Sequence, residues 1–239
     1  VLASRRSDNF VLTNVISGTG GFRKDGTNTL TFSSTNNHAY TGPTEILGGQ
    51  LKFSTHTNVN QLGSAYRPPQ GTITIRTNAT LSFGGDMYYN LLGGHLNSTS
   101  PCTPVVLDGG TIDSSDTVTT FSNLVVNGGT LLSSGGFASG PTWGSFVLLG
   151  TVQVNADAAF LVLGGTSNNA ITPGAWVGNH TLTLAITNGA TLTNQIPIKD
   201  YVSTTTYKYS LTKTGAGTLI LAATNTYSDP TTINGGTVV

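Results

Sequence analysis

The sequence predicts an all-β chain that folds as one right-handed, single-stranded parallel β-helix (β-solenoid) over residues 1–239. Three observations lead to this prediction: the chain repeats itself, glycine-rich corners recur at short intervals, and helix signals are scarce. The chain has 31 glycines and a single glutamate, Glu45. The i, i+4 charge pairs that stabilise helices are therefore almost absent, and short strands joined by tight corners are favoured.

Two segments near opposite ends of the chain, 22–52 and 211–239, are copies of one unit. The first copy has two extra residues between its leucine and its tyrosine, where a loop would tolerate them. The matching residues are Lys24 with Lys213, Gly26 with Gly215, Leu30 with Leu219, Asn36 with Asn225, Tyr40 with Tyr227, Pro43 with Pro230, Ile46 with Ile233, Gly48 with Gly235 and Gly49 with Gly236. Agreement at so many positions indicates a structural repeat.

A shorter pattern, two glycines followed after one residue by an aliphatic side chain, recurs through the chain. It is found at 48–51, 93–96, 109–112, 128–131 and 235–238. The intervals are irregular, but those between the corners at 93, 109 and 128 are 16 and 19 residues, which is about the length of one β-solenoid coil. We therefore expect the middle of the chain to continue the same solenoid.

The strands of the repeat alternate apolar and hydroxyl side chains. Leu30 and Phe32 alternate with threonines, which predicts one buried and one exposed face. A single coil cannot bury its apolar face, whereas stacked coils can. At about 20 residues per coil, the chain would form about a dozen coils. Three longer segments are expected to project as loops: 98–104, 135–144 and 194–210.

Charge and hydropathy exclude several classes of partner. Charged residues make up 8% of the chain, and ten basic residues balance ten acidic ones. A neutral chain has no electrostatic footprint for nucleic acid or an anionic membrane. No apolar run approaches the roughly 20 residues of a transmembrane helix, so we expect no membrane insertion. Low charge also removes the self-repulsion that keeps molecules apart, and favours association.

Segment 210–238 closely resembles the autotransporter-associated β-strand repeat, also called the passenger-associated transport repeat. Residues 15–22, which lead into Lys24 and Gly26, are similar to the segment that precedes this repeat in the same family. The resemblance covers about 15–54 and 210–239. It implies a parallel β-helix in a secreted bacterial surface protein, often adhesive or structural, and it implies no catalytic residues.

Parallel β-helices also include polysaccharide lyases and glycosidases, whose sites use clustered carboxylates. The best candidate cluster here is Asp108, Asp113 and Asp116, around a Gly-Gly corner. Aspartates at turns also accept hydrogen bonds from local N–H groups. A lyase would need a basic residue nearby, and the sequence has none between Arg76 and Lys199. We therefore predict no catalytic residue, no cofactor and no enzymatic activity.

Metal and ligand signals are weak. The histidines are scattered singly: His38, His56, His95 and His180. This spacing predicts no metal site. Cys102 is the only cysteine and cannot form an internal disulfide. A few aromatic residues could stack on sugar rings or fill corners of the core: Trp143, Trp176, Tyr88 and Tyr89.

The two ends of the chain decide the functional prediction. Segment 9–16 is apolar and strand-like, segment 231–239 is a bare repeat, and neither has the composition of a polar cap. Charges are concentrated at Arg5-Arg6 and around Lys199, Asp200, Tyr201, Lys208 and Tyr209. They are either solvated loops or contacts between molecules.

We predict a secreted structural protein, extracellular or at the bacterial cell surface, that associates head to tail into a filament through uncapped coils. Three alternatives stay open: an adhesin or autotransporter passenger stalk that binds a surface or glycan, a polysaccharide lyase-like enzyme, and a piece of a longer passenger whose own neighbouring coils cover the ends.

Overall fold

A computed structural model describes ten stretches of the chain: 1–32, 38–54, 71–84, 103–115, 118–122, 124–134, 145–163, 169–173, 178–203 and 205–239. These residues form 24 strands and no helix. No described helix is therefore long and apolar enough to cross a membrane.

Most strands are short and separated by corners, except that Leu124–Ser133 and Thr151–Val162 each run through a corner. The first twelve are β1 Leu2–Ser4, β2 Phe10–Leu12, β3 Ser17–Gly18, β4 Phe22–Lys24, β5 Thr29–Phe32, β6 Ala39–Tyr40, β7 Thr44–Ile46, β8 Gly49–Ser54, β9 Ile73–Arg76, β10 Ala79–Gly84, β11 Val105–Asp108 and β12 Thr111–Asp113. The others are β13 Thr119–Phe121, β14 Leu124–Ser133, β15 Phe146–Leu148, β16 Thr151–Val162, β17 His180–Ile186, β18 Thr191–Asn194, β19 Tyr201–Val202, β20 Thr206–Tyr207, β21 Tyr209–Thr214, β22 Thr218–Leu221, β23 Thr231–Ile233 and β24 Thr237–Val238.

Parallel pairing stacks these strands into successive coils. The first face joins β1, β4, β7, β9, β11, the first halves of β14 and β16, β17, β21 and β23. The second face joins β2, β5, β8, β10, β12, the second halves of β14 and β16, β18, β22 and β24. Each face has ten levels, which we number coils 1 to 10 from the amino-terminal end. This stacking confirms the predicted parallel β-helix.

A third face closes the coils where the structure describes it. It contains the parallel pairs β3–β6 and β13–β15. It continues through parallel bridges from Phe146 to Ile171, from Ile171 to Ile198 and from Lys199 to Thr226. The polypeptide thus runs around three sides before it rises to the next level, as expected for a solenoid.

The coils differ in length. Leu2 pairs with Phe22 and Phe22 with Thr44, so coils 1 and 2 take 20 and 22 residues. Ile73 pairs with Val105, so coil 4 takes 32 residues. Insertions in such longer coils explain why the described strands form ten coils and not the dozen that a uniform 20-residue period predicts.

The core lies inside the coils and is built from columns of stacked apolar side chains. Leu30, Leu51 and Leu81 pair in register on successive coils, and all three are buried. Phe53 lies between Phe32 and Phe83: it meets Phe32 edge to face, with ring centroids 5.4 Å apart, and stacks on Phe83, with ring centroids 6.2 Å apart. The alternation of apolar and hydroxyl residues therefore places these side chains as predicted.

Two of the predicted projecting loops lie largely outside the described residues: 135–144 entirely, and 98–104 except for its last two residues. Segment 194–210 is described almost completely. Ile196 and Ile198 are buried in the core, so this part forms the coil wall. Only β19 and β20 leave it, as an antiparallel hairpin.

Candidate functional site

A buried lysine lies at the same place in each copy of the repeat. In β4, Phe22 and Lys24 occupy alternate positions and both point inward. Lys24 is fully buried. Its Nζ donates hydrogen bonds to the carbonyl oxygens of Asp25, Gly26 and Gly48 at 3.1, 3.0 and 3.0 Å. An ammonium has three N–H donors, so all three are used.

The acceptors lie on two different coils. Asp25 and Gly26 form the corner of coil 2, between β4 and β5, whereas Gly48 belongs to the corner of coil 3, between β7 and β8. Lys24 therefore joins two successive coils through their corner carbonyls. We call this arrangement the lysine clip.

The second repeat has the same clip. Lys213 is fully buried on β21. Its Nζ donates to the carbonyl oxygens of Thr214, Gly215 and Gly235 at 2.9, 2.7 and 3.0 Å. Gly235 lies in the corner of coil 10, so this clip joins coils 9 and 10.

The electrostatics of the clips indicate a structural role. Burial lowers the pKa of Lys24, and the neighbouring Asp25 carboxylate opposes part of this shift. Burial also lowers the pKa of Lys213. Amines with a lowered pKa can act as nucleophiles, but a reactive amine needs a free N–H and access for a substrate. Each ammonium is enclosed and bonded to three carbonyls, so it stabilises the corners.

Glycine pairs make room for the clip. Gly49 has φ of +60°, and a Cβ there would lie 2.5 Å from the carbonyl oxygen of Asn28. Its counterpart Gly236 has φ of +69°, and a Cβ there would lie 2.8 Å from Lys213 Nζ. A side chain at either position would strain the backbone and crowd the preceding coil. The Gly-Gly pairs at 48–49 and 235–236 therefore form the corners that the two lysines fasten.

A tyrosine–threonine pair is also repeated. Tyr40 Oη lies 2.6 Å from Thr44 Oγ1, and Tyr227 Oη lies 2.6 Å from Thr231 Oγ1. Burial raises the pKa of Tyr40, whose pair is covered by neighbouring coils. The second pair is exposed. The two copies share local geometry and differ in what lies above them.

The first and last coils expose side chains whose equivalents are buried elsewhere. Ile46 on coil 3 is 0% exposed, whereas Ile233 on coil 10 is 54% exposed. At the other end, Phe10 on coil 1 is 38% exposed, and Leu30, its in-register partner on coil 2, is 2% exposed. The core columns thus continue to both end surfaces, where they meet solvent in this chain.

Each described member of the predicted carboxylate cluster has local partners. Asp108 forms an ion pair with Arg76, and Arg76 also lies 3.8 Å from Glu45. Asp113 accepts hydrogen bonds from the backbone N–H of Ser115 at 2.9 Å and from Ser134 Oγ at 2.6 Å. Asp116 lies outside the described residues. Folding thus brings Arg76 beside Asp108, although the sequence has no Arg or Lys between Arg76 and Lys199, and Arg76 is engaged there by both Asp108 and Glu45. The bonds of Asp113 fit an aspartate that stabilises a turn.

The two described histidines lie apart, each with its own partner. His38 is buried, its Nδ1 accepts the N–H of Ile16 at 3.2 Å, and its ring centroid lies 4.4 Å from that of Phe32. His180 Nε2 accepts the N–H of Gly150 at 3.4 Å. Within the described stretches, no three His, Cys, Asp or Glu residues form a possible metal site.

Several other candidates lie outside the described residues: His56, His95, Cys102, Trp143, Trp176, Tyr88 and Tyr89.

The terminal charge concentrations form pairs within the chain. Arg6 contacts Asp8 at 2.5 Å, and Arg5 lies 3.6 Å from Asp25. Near the other end, Asp200 accepts hydrogen bonds from the backbone N–H groups of Tyr209 and Ser228 at 2.8 and 3.2 Å. The Arg5 contact joins coils 1 and 2, and the Asp200 bonds join coil 8 to coil 9.

Stacked parallel strands, a core of like residues and repeated corner clips define this chain as a parallel β-helix repeat protein. A family model described as the passenger-associated-transport-repeat matches residues 22–53 and 211–239. The chain therefore carries two copies of this repeat, and the resemblance predicted from its sequence is confirmed. A repeat of this kind indicates a passenger-type protein that is secreted or exposed at a surface. No curated protein and no solved structure matches the chain.

Proposed function

We propose that the chain is a structural subunit of an extracellular filament or matrix, and that molecules join end to end through their first and last coils. The supporting observation is the exposure of core columns at both ends, where Phe10 and Ile233 continue columns that are buried elsewhere. A contact between two different surfaces propagates as a filament unless its rotation closes a ring.

Strand edges support the same proposal. A terminal coil presents unpaired N–H and C=O groups, which pair readily with another strand. The net charge of zero adds no repulsion between molecules. Stacked coils would restore both hydrogen bonds and apolar burial at each joint.

Electron microscopy and analytical ultracentrifugation of the purified 239-residue chain test this function. We expect filaments that lengthen with concentration. Ala3→Pro should shorten them, because proline removes an N–H on the outer edge of coil 1, whereas Ala3→Val keeps that N–H and should not. A wild-type chain that stays monomeric at all concentrations would overturn the proposal.

Mass spectrometry of the native protein tests whether the ends are free. A native chain that continues through further coils at either end would cover these surfaces itself, and the end-to-end joint would then be rejected.

The second candidate is the stalk of an adhesin or autotransporter passenger, which the passenger-associated repeat favours. A stalk would bind a glycan or cell surface without forming filaments. Binding of a wild-type chain that stays monomeric to glycan arrays or whole cells would support it.

We also propose that the chain is not a polysaccharide lyase. The local bonds of Asp108 and Asp113 support this proposal. Incubation with pectin-like polymers should release neither unsaturated nor reducing sugars, and release by the wild type that Asp113→Asn abolishes would refute it.

A further inference from the structure

We infer that coil 10 of one molecule receives coil 1 of a second copy in the register that joins coils 3 and 4 within the chain, which places Ala3 beside Thr232. This inference rests on the proposed end-to-end assembly and specifies its joint.

Coil 10 is a copy of coil 3. Ile233 corresponds to Ile46, and Val238 corresponds to Leu51. Within the chain, coil 4 covers coil 3 by pairing Ile75 with Ile46. It also pairs Leu81 with Leu51. A strand pair placed on coil 10 in the same way would therefore present side chains to Ile233 and Val238.

Coil 1 lies in the same columns. Ser4 is in register with Lys24, and Lys24 is in register with Ile46. A coil 1 that takes the place of coil 4 therefore sets Ser4 against Ile233. On the second face, Phe10 is in register with Leu30, which is in register with Leu51. The same placement sets Phe10 against Val238.

The backbone of coil 1 has the required orientation at its open edge. Leu2 donates its N–H to the carbonyl oxygen of Gly21 at 2.9 Å, and the Ser4 carbonyl accepts the N–H of Asp25 at 2.8 Å. Leu2 and Ser4 are therefore directed at coil 2. Because successive residues of a strand direct their polar groups to opposite sides, the N–H and C=O of Ala3 face the open edge.

The open edge of coil 10 is complementary. Asn234 donates to Lys213 at 2.8 Å, and Pro230 accepts from Leu211 at 3.2 Å. Both residues are thus directed at coil 9, and the alternation directs Thr231 and Ile233 outward.

Coil 3 shows how such an edge is satisfied. Thr44, the equivalent of Thr231, donates to the Thr72 carbonyl on coil 4 at 2.9 Å. In the inferred register, the Ala3 N–H meets the Thr231 carbonyl, and the Ala3 carbonyl meets the Ile233 N–H. A slip by one residue would lose these bonds and turn the apolar side chains outward.

Disulfide crosslinking tests this register. Ala3 and Thr232 are both exposed, and neighbours across stacked strands lie about 4.8 Å apart, within disulfide range. In a Cys102→Ser background, the double variant Ala3→Cys/Thr232→Cys should form a ladder of covalent multimers on oxidation. The matched control Ala3→Cys/Thr212→Cys should not, because Thr212 lies in the same outward row one coil deeper.

Electron microscopy of the reduced samples separates the two levels of the proposal. Filaments together with an Ala3/Thr232 ladder support the register. Filaments without that ladder, or with a ladder in the Thr212 control, overturn the register but leave end-to-end assembly intact. An absence of filaments in every reduced sample overturns both.

Discussion

Replacing Lys24 by methionine tests whether the lysine clip stabilises the β-helix or only compensates for burying a charge. Methionine keeps the apolar stem and removes three hydrogen bonds, to Asp25, Gly26 and Gly48. A buried acceptor that loses its donor costs about 1–3 kcal/mol. Three carbonyls at the lower end of this range give about 3 kcal/mol.

A second effect opposes this loss, because methionine avoids the desolvation of an ammonium, which costs several kcal/mol. We expect the loss of the three carbonyl hydrogen bonds to outweigh the gain from avoided desolvation, because the Lys24 ammonium has all three donors bonded within 3.1 Å. The avoided desolvation offsets part of the loss of about 3 kcal/mol, so the expected net decrease in the free energy of unfolding is about 1–2 kcal/mol.

Guanidinium unfolding followed by circular dichroism measures this difference. Lys52→Met is the matched control, because Lys52 lies on the outward side of β8, in register with Thr31 and Ser82. A surface substitution of this kind changes stability by about 0.5 kcal/mol or less. If Lys24→Met is as stable as Lys52→Met, the clip only balances its own desolvation.

Three further predictions follow from the same geometry. Lys213→Met should increase hydrogen exchange in β23 and β24 with a smaller change in global stability, because the second clip joins coil 10, which has a described neighbour on one side only, to coil 9. Gly189→Ala should lower the free energy of unfolding by about 1–2 kcal/mol because its φ is +80°. Its Cβ would meet nothing within 4 Å, so no steric clash adds to this loss. Gly49→Ala should lower the free energy of unfolding by at least about 2 kcal/mol more than Gly189→Ala, because its Cβ would clash with the preceding coil. Thermal or denaturant unfolding of both variants measures this difference. Burial lowers the pKa of His38 below its ordinary value of 6.5. As the pH falls, His38 is therefore protonated in the unfolded chain before it is protonated in the folded chain, and the free energy of unfolding should decrease below about pH 6.5. Hydrogen exchange of Ile16 should report this loss, His38→Phe should reduce the pH dependence, and an unchanged profile in that variant would contradict the assignment.

Much of the fold follows from local patterns in the sequence. The repeat copies predict stacking, and the alternation of Leu30 and Phe32 with threonines predicts which side chains enter the core. Both signals are local in sequence, because the alternation of side chains along a strand and the glycines at corners depend on only a few neighbouring residues. The longer coils were not predictable, since a 32-residue spacing between Ile73 and Val105 carries no periodic signal.

The lysine clips were missed although the matching of Lys24 and Lys213 was plain. A charged side chain is expected on the outer face. The sequence did contain a signal, because residues two apart in a strand lie on the same face. Lys24 follows Phe22 by two residues, and Lys213 follows Leu211 by two. What makes burial possible is non-local, since one of the three acceptors of Lys24, the carbonyl of Gly48, is 24 residues away on the next coil.

The clips also bear on how the end coils stay folded. An interior coil is held by hydrogen bonds and apolar contacts on both sides, whereas coil 10 has a described neighbour on one side only. Its strands β23 and β24 are three and two residues long, too short to hold an edge by themselves. The bond from Lys213 to Gly235 fastens the corner between these two strands and so keeps both in register on coil 9. This bond therefore orders the corner of coil 10 on which the proposed joint to a second copy depends.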